Sequence, residues 1–289
     1  MSLVSDGQIH APPGARSRPR APRPLAEPPD RWYAGGVAVL AALVDLVLPT
    51  ECAGCDAPAG LSGICADCVE ALATSPEPTR PDPAPPGLPP CFTAGWYDGV
   101  RREVILSYKE RGRRGVVGRL ADALADTIVA ALGPDFTGPV VLVPVPSTAA
   151  AIRARQGDHM LRLARRAARR MRRSGIPATV ATPLRALPKE DSAHLDRQAR
   201  ARVAGSAFAV RPARLPSLRD IADTGVIAVV DDVLTTGSTL AAVARLLFAH
   251  GVPVAFGATV AATRLRHERA GRTPAAGRTG IWDQAALWR

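Results

Sequence analysis

The sequence predicts an α/β fold in which helices flank a parallel β-sheet, and two kinds of pattern support this. Val140 to Val145 and Val226 to Val230 are uninterrupted apolar runs, as expected for strands that are covered on both faces. Between them, His159 to Arg173 has apolar residues at helical spacing on one side and arginines on the other. Strands that alternate with helices in this way form one parallel sheet.

The alternation extends across residues 91–264, which we interpret as the main domain. Its helices end at typical stop signals, Gly133-Pro134 and Gly251. The other expected elements are a strand at Phe92 to Tyr97, helices at Val100 to Tyr108 and Val116 to Leu132, a weak strand at Ala178 to Ala181, a helix at Thr239 to His250 and a strand at Val252 to Ala262. Residues 265–289 are a polar tail.

Three segments precede this domain. Residues 1–31 are rich in proline and arginine and cannot build a core, so we expect a disordered arm. Residues 32–74 are expected to contain a helix that ends near Leu48, followed by a small cysteine-bearing module. Residues 75–90 contain many prolines and predict a semi-rigid, extended linker, which is the clearest domain boundary in the chain.

The charge of the chain favours anionic partners. The formal net charge is +11, and the excess is nearly all arginine. Such a balance suits nucleic acid, phosphorylated ligands or anionic lipid, although GC-rich coding produces the same arginine bias. The apolar run from Gly35 to Leu48 contains Asp45 and is shorter than the roughly 20 residues that a membrane span needs. We therefore predict no membrane span and a cytoplasmic location.

Four of the five cysteines form a spaced pair of knuckles. They are Cys52, Cys55, Cys65 and Cys68, in the pattern Cys-x2-Cys-x9-Cys-x2-Cys. Two such knuckles complete a tetrahedral Zn²⁺ site, and the metal would supply folding energy that so short a module lacks. A redox dithiol is the main alternative, but it needs only one pair. We predict a structural zinc site without catalysis, and a buried, non-ligating Cys91.

An acidic pair and a glycine-centred loop follow the strand Val226 to Val230. Asp231 and Asp232 can accept hydrogen bonds from a diol or hold Mg²⁺ through water. Gly237 lets the backbone wrap around a phosphate at the start of a helix. Hydroxyl donors surround it at Thr235, Thr236, Ser238 and Thr239. This combination suits a 5-phosphoribosyl group, and the alternative is an ordinary helix cap. A Walker A site is excluded because the loop has no lysine.

The motif Val229 to Thr239 resembles the phosphoribosyl pyrophosphate (PRPP) motif of type I phosphoribosyltransferases. Within that superfamily, residues 37–262 resemble the ComF family, which is named for DNA uptake in competence. The supporting pieces, in chain order, are Leu-Val-Leu-Pro-Thr before Cys52, the four cysteines, Tyr108 to Gly112, Val143 to Pro146, Arg155 to Asp158, Leu195-(x)4-Arg200 and Gly205 to Phe208. The family usually has glutamine near Ser192 and asparagine near Val203, so this chain departs from it there.

The resemblance implies a type I phosphoribosyltransferase-like sheet preceded by a zinc-ribbon-like module. It implies that Asp231 and Asp232 hold the ribose hydroxyls and that residues 235–239 hold the 5-phosphate. The pyrophosphate, with Mg²⁺, would lie near Pro146 and Ser147, with Lys109 and Arg155 as its cationic partners. The implied activity is a phosphoribosyl (glycosyl) transfer, and the sequence identifies neither the acceptor nor the oligomeric state.

The arginine-rich side of residues 162–173 supports a different class of function. It is the best nucleic-acid patch in the sequence, although a solvated helix face would look the same. No aromatic residues interleave with these arginines, so a base-stacking platform is not evident. His159 and His194 are interpreted as surface histidines. The alternative function is therefore single-stranded DNA handling in DNA uptake or recombination, without transferase turnover.

Overall fold

The computed structural model describes residues 51–73, 76–188 and 207–264. Several sequence predictions lie outside these residues. They are the arm at 1–31, the helix that precedes the cysteines, the motifs between residues 189 and 206 with His194, and the tail at 265–289. No helix in the described ranges has both the length and the apolar character that crossing a membrane requires.

A six-stranded, mostly parallel sheet organises the described chain. Its strands, in spatial order, are β1 (Glu77–Thr79), β2 (Cys91–Thr93), β8 (Phe256–Ala262), β7 (Val226–Leu234), β3 (Val140–Pro144) and β4 (Ala178–Val180). Every neighbouring pair is parallel except β1 with β2. A separate antiparallel pair consists of β5 (Leu184–Ala186) and β6 (Phe208–Val210). The predicted α/β class with a parallel sheet is confirmed.

Helices cover both faces of this sheet. They are α1 (Ala66–Leu72), α2 (Gly99–Lys109), α3 (Val117–Leu132), α4 (Ala149–Ala154), α5 (His159–Arg173), α6 (Pro216–Ala222) and α7 (Ser238–Phe248), with short 3-10 turns at Gly60–Ser62, Arg114–Val116 and Pro212–Arg214. Alternate strand residues feed two cores, because successive side chains point to opposite faces. Val140 and Leu142 pack with α2, α3 and α5, whereas Val141 and Val143 pack with α6 and α7.

The predicted amphipathic helix is α5, and its bounds are those expected. Met160, Leu163 and Met171 are almost completely buried on its inner side. Asp158 caps its first turn by accepting a hydrogen bond from the Leu161 amide at 3.0 Å. The arginines lie on the outer side, so the structure separates the two kinds of residue as the periodicity predicts.

The order in which the chain adds strands to the sheet changes direction between β3 and β7, although the two strands are parallel. These strands are neighbours, but β3 leads outward to β4 and β7 leads outward to β8 on the opposite side. The helices that follow these two strands therefore lie on opposite faces of the sheet. We call the space beyond the carboxyl ends of β3 and β7 the crevice. In open α/β sheets ligands bind at such a switch point.

Residues 76–90 depart from the predicted linker, and we name them the proline strap. Glu77–Thr79 pairs with β2 as the outermost described strand on that side of the sheet. Pro81 and Leu88 are buried, and the Pro90 carbonyl accepts a 2.8 Å hydrogen bond from the Gly257 amide. The extended backbone that proline favours also suits an edge strand, so the composition did not distinguish a spacer from a packed segment.

Strand ends also differ from the sequence predictions. β7 continues through the acidic pair to Leu234, because β8 still provides a partner there, with Asp231 opposite Thr259 and Leu234 opposite Ala262. β2 ends at Thr93, whose hydroxyl donates a hydrogen bond to the Gly95 carbonyl at 2.9 Å. β8 begins only at Phe256, four residues after the predicted start.

Candidate functional site

The crevice between β3 and β7 brings together two predicted site segments. Pro144 pairs with Val230, and the Val145 amide donates to the Val230 carbonyl at 3.0 Å. Pro146 and Ser147 therefore leave β3 beside the carboxyl half of β7. Thr148 then caps α4 by accepting from the Ala151 amide at 3.2 Å. The predicted pyrophosphate loop and the acidic pair thus lie at one edge of the sheet.

Asp232 is the buried member of the acidic pair, with 5% of its surface exposed. It lies on the face covered by α2 and α5. Lys109 Nζ lies 2.9 Å from its Oδ2 and 3.2 Å from its Oδ1. His159 Nε2 is 3.2 Å from Oδ2. The structure therefore joins two of the predicted residues, Lys109 and Asp232, in a direct ion pair.

These contacts separate the acidities of the two carboxyl groups. Burial by itself raises the pKa of Asp232, but the hydrogen bond from His159 and the charge of Lys109 outweigh it and lower that pKa. Burial and the neighbouring Asp232 charge raise the pKa of Asp231 to about 8. Desolvation of Lys109 is outweighed by Asp232, so the pKa of Lys109 is raised. An ionised Asp232 is thus paired with a charged Lys109.

His159 joins the candidate site through Asp232, and the sequence interpretation missed it. It was expected at the surface, but it is 6% exposed and contacts Asp232. Tyr108 donates its hydroxyl hydrogen to the His159 carbonyl at 2.8 Å, and the two rings meet edge to face. The available signal was periodicity, because His159 lies four residues before Leu163 and so falls on the buried side of α5.

The loop after β7, residues 235–239, places four exposed hydroxyl groups around the start of a helix, and we call it the hydroxyl loop. Gly237 has a φ of 73° and occupies the position before α7, so no side chain caps this helix there. Thr236 Oγ1 donates to Ser238 Oγ at 3.0 Å. Thr235, Thr236, Ser238 and Thr239 are all exposed around the amino end of α7. Backbone N–H groups and hydroxyls at a helix start favour a phosphate.

The proline strap supports the hydroxyl loop from below. A Cβ atom at Gly237 would lie 3.0 Å from Leu88 Cδ2 and 3.2 Å from Pro81 Cγ. The strap is in turn held to α7, because Arg245 Nη1 donates to the Pro86 carbonyl at 3.3 Å. Gly237 is therefore needed both for its backbone conformation and for the close approach of the strap.

Arg155, the second predicted pyrophosphate partner, lies at the end of α4 and is tied to α2. Its Nη2 is 2.9 Å from Glu110 Oε1, next to Lys109 in the chain. The same turn is held by Arg114, which donates to the Gln156 carbonyl at 3.0 Å. Arg155 thus reaches the Lys109 end of α2, where its ion pair is with Glu110 and not with the acidic pair.

The four cysteines converge as predicted. Their sulfur atoms all lie within 4.8 Å of one another, and Cys55 Sγ is 3.6 Å from Cys65 Sγ. Four sulfurs around one Zn²⁺ at about 2.3 Å would lie about 3.8 Å apart, so the cluster fits such an ion. Backbone amides of Gly54 and Cys65 donate to Cys52 Sγ at 3.4 and 3.3 Å. The cluster can hold a metal ion.

Cys91 is separate from this cluster and is buried, as predicted. It is 4% exposed and its thiol donates to the Pro89 carbonyl at 3.2 Å. Burial raises its pKa to about 12, so the group stays a neutral thiol. It acts as a small core residue beneath the proline strap.

The outer side of α5 is a dense arginine surface, which consists of Arg165, Arg166, Arg169, Arg170, Arg172 and Arg173 and is exposed along its length. In the described ranges, the salt bridge that involves this surface joins Arg170 to Asp122 of α3, at 3.7 Å. Arg172 also donates to the Ala178 carbonyl at 2.6 Å. The surface therefore keeps a large excess of positive charge.

Comparison of the chain with models of protein families and with curated proteins found no match. The resemblance to the ComF family therefore depends on the motifs quoted from the sequence. The function has to be argued from the geometry and chemistry of the site.

Proposed function

We propose that this protein is a type I phosphoribosyltransferase-like protein that binds PRPP in the crevice between β3 and β7. One observation carries the proposal. An acidic pair, a hydroxyl-rich loop at a helix start and a second loop from the neighbouring strand meet at the sheet's switch point. This location is where α/β sheets bind ligands, and these groups suit the separate parts of a phosphoribosyl ligand.

Each part of the ligand has a complementary group. The hydroxyl loop (residues 235–239) would hold the 5-phosphate, and Asp231 and Asp232 would accept the ribose hydroxyls. Pro146 and Ser147 would lie beside the pyrophosphate, with Lys109 and Arg155 as cations. Carboxylates and pyrophosphate oxygens are ligands that Mg²⁺ prefers, so Mg²⁺ would enter with PRPP and neutralise its charge.

The expected chemistry is displacement of pyrophosphate from the anomeric carbon by a nucleophile. In such a reaction the protein contributes mainly positioning and charge stabilisation. Lys109 is suited to this role because it remains charged and can exchange Asp232 for an oxygen of the departing pyrophosphate. Asp232, held by His159, would keep the ribose oriented during this exchange.

We further propose that Cys52, Cys55, Cys65 and Cys68 hold a structural Zn²⁺. Four thiolates complete a closed tetrahedral shell, which leaves no position for substrate. The amide donors on Cys52 support this, since N–H groups that point at a sulfur favour its thiolate form.

Calorimetric titration of PRPP with Mg²⁺ into the zinc-loaded protein tests the primary function. We expect saturable binding that is lost in the Asp231→Asn/Asp232→Asn variant. Asp223→Asn is the matched control, because Asp223 is an exposed aspartate just before the opposite end of β7. Absence of binding to the folded wild-type protein would reject the proposal.

The arginine surface of α5 favours a second candidate function, the binding of single-stranded nucleic acid. Residues 165–173 span about 12 Å of helix at 1.5 Å per residue, which is enough to meet two phosphates of an extended strand. Binding of this kind comes from charge and counterion release, so it is not sequence-specific.

Fluorescence anisotropy with a labelled oligothymidine tests this second candidate. We expect affinity to fall steeply with salt, and the Arg165→Gln/Arg169→Gln variant to bind more weakly with a shallower salt slope. Arg219→Gln on α6 is the control. Equal affinities and salt slopes in all three proteins would exclude the α5 surface as a nucleic-acid site.

A further inference from the structure

The four-cysteine module (residues 51–72) is docked directly on α2. The Ala53 carbonyl, in the first knuckle between Cys52 and Cys55, accepts a hydrogen bond from Ser107 Oγ at 2.9 Å. Both residues are buried, with 2% of Ala53 and 1% of Ser107 exposed. A buried carbonyl that lost this donor would be left without a partner at that position, so the contact fixes how the knuckle meets the helix.

Two further contacts attach the module at the ends of α2. Arg101, in the first turn, donates to the Leu72 carbonyl at 2.8 Å. Arg113, just after the helix, donates to the Glu51 carbonyl at 2.6 Å. The module and α2 therefore meet along the length of the helix.

The same end of α2 supplies the cation of the proposed PRPP site. Ser107 is followed by Tyr108, which holds His159, and then by Lys109, which pairs with Asp232. One turn of helix thus contacts the cysteine knuckle on one side and the acidic pair on the other. The position of Lys109 depends on the position of this turn.

A metal ion bound by the four cysteines would decide whether the knuckle has a fixed structure. Short cysteine modules of this type fold with their metal and lose order without it, because metal binding supplies their folding free energy. The element with two states would therefore be the module itself, ordered with metal and loosened without it. Coupling between sites requires such an element, biased by both ligands.

We propose that Ser107 is a positioning residue through which the metal state of the four-cysteine module controls the placement of Lys109 at Asp232. The effect on PRPP binding rests on the function proposed above, whereas the link from module to Lys109 does not. Metal binding then raises the affinity of the site for PRPP. PRPP raises the affinity of the module for its metal by the same factor, since coupling of this kind is reciprocal.

Acylation of lysine amines, followed by mass spectrometry, tests the link without any phosphoribosyl ligand. The chain has two lysines, Lys109 and Lys189, so Lys189 is an internal reference. The side chain of Lys109 is 29% exposed, which leaves it accessible but protected by its ion pair. We expect Lys109 in the zinc-loaded Ser107→Ala variant to react several times faster than in the wild type, relative to Lys189.

The matched control is Thr127→Ala. Thr127 is also a fully buried hydroxyl residue, but its bond is to the Ala123 carbonyl within α3, away from the module. All samples are labelled below their unfolding temperatures. Acceleration in Ser107→Ala but not in Thr127→Ala supports a positioning role. Equal Lys109 rates in both variants, or no change from the wild type, would overturn the proposal.

Calorimetry then measures the coupling. We expect removal of zinc with a chelator to weaken Mg²⁺-PRPP binding at least about 5-fold, and PRPP to slow the chelator's removal of zinc correspondingly. In Ser107→Ala both effects should shrink while zinc still binds. If Lys109 labelling responds as expected but PRPP does not bind, the link from module to Lys109 stands and the proposed function fails. PRPP affinity that is independent of zinc would overturn the coupling.

Discussion

Asp231 and Asp232 are neighbours on an extended strand, so their side chains point to opposite faces of the sheet. Asp232 shares the face of Val226, Ala228 and Val230 and meets Lys109 there. Asp231 is half-buried and its Oδ1 accepts a hydrogen bond from the Asp232 amide at 2.9 Å. The two carboxyl groups therefore differ in charge state as well as in direction, and they are suited to different tasks.

This difference predicts how stability depends on pH. The folded-state pKa of Asp231 is raised to about 8 from 3.8, so between about pH 4 and pH 8 the folded protein holds a proton that the unfolded chain has released. Asp231 therefore makes stability fall as the pH rises through this window. Asn at this position cannot ionise, so Asp231→Asn should raise the free energy of unfolding relative to wild type more at pH 8 than at pH 5. We expect this difference to be about 1–3 kcal/mol, because solvent screening of the half-buried carboxyl group limits it.

Urea unfolding of Asp231→Asn and wild type at several pH values measures this difference. The Asp223→Asn control should follow the wild-type curve, since that aspartate is exposed. Parallel curves for Asp231→Asn and wild type between pH 4 and 8 would contradict the expected ionisation of Asp231.

Residue types at the site could be predicted from the sequence better than their contacts. The acidic pair, Lys109 and the hydroxyl loop could be named as candidates, because each belongs to a local run of residues with distinctive chemistry. His159 was not, since its contact with Asp232 joins residues that are 73 positions apart. Local patterns report which groups are present, whereas tertiary packing decides which of them touch.

The proline strap and the hydroxyl loop form the next level of organisation. Leu88 and Pro81 lie against Gly237, and Arg245 holds the strap to α7. The loop is therefore fixed from beneath while its hydroxyls face solvent. In the proposed PRPP site, a loop that is already held in place would lose less conformational entropy when the 5-phosphate binds.

A double-mutant cycle tests this contact. Gly237→Ala should destabilise the protein by about 1–3 kcal/mol, because alanine is strained at a φ of 73° and its Cβ would meet Leu88. Leu88→Ala removes the steric part, so the Gly237→Ala penalty should be smaller in that background. If Leu88 did not contact the loop, the losses in unfolding free energy of the two single variants would add up to that of the double variant. Gly118→Ala is the control, as its Cβ meets open space.

The sequence predicted the proline strap to be a linker for a physical reason. Proline density indicates an extended chain, and the chain is indeed extended at Glu77–Thr79. Composition alone does not show which strand an extended segment pairs with. Here the partner is β2, which begins twelve residues later. By contrast, α5 was predicted correctly because its apolar residues recur at helical spacing, and this pattern can be seen within the segment itself.

At the scale of the whole molecule, the four-cysteine module shares a core with the sheet domain. Cys52, Ile64 and Cys68 belong to the same buried cluster as Val104 and Tyr108 of α2. A module that is joined in this way cannot unfold without exposing apolar surface of its neighbour. A metal ion held by the four cysteines should therefore stabilise more than the 17 residues from Cys52 to Cys68.

Thermal unfolding with and without a zinc chelator tests this. We expect one transition that shifts to lower temperature on chelation, and a similar shift in Cys68→Ser, because the loosened module exposes part of the shared core. Cys91→Ser, which leaves the cluster intact, should not respond to the chelator differently from wild type. A small early transition followed by an unchanged main one would show that the module unfolds independently.

The proline strap has another consequence, which concerns what the protein avoids. β1 is the outermost described strand on its side of the sheet, and its central residue is Pro78. Proline has no N–H to offer, so this rim is a poor template for the addition of a foreign strand. An open edge of a parallel sheet would invite self-association in a crowded cell. The segment that supports the hydroxyl loop therefore also makes this edge of the sheet a poor site for such pairing.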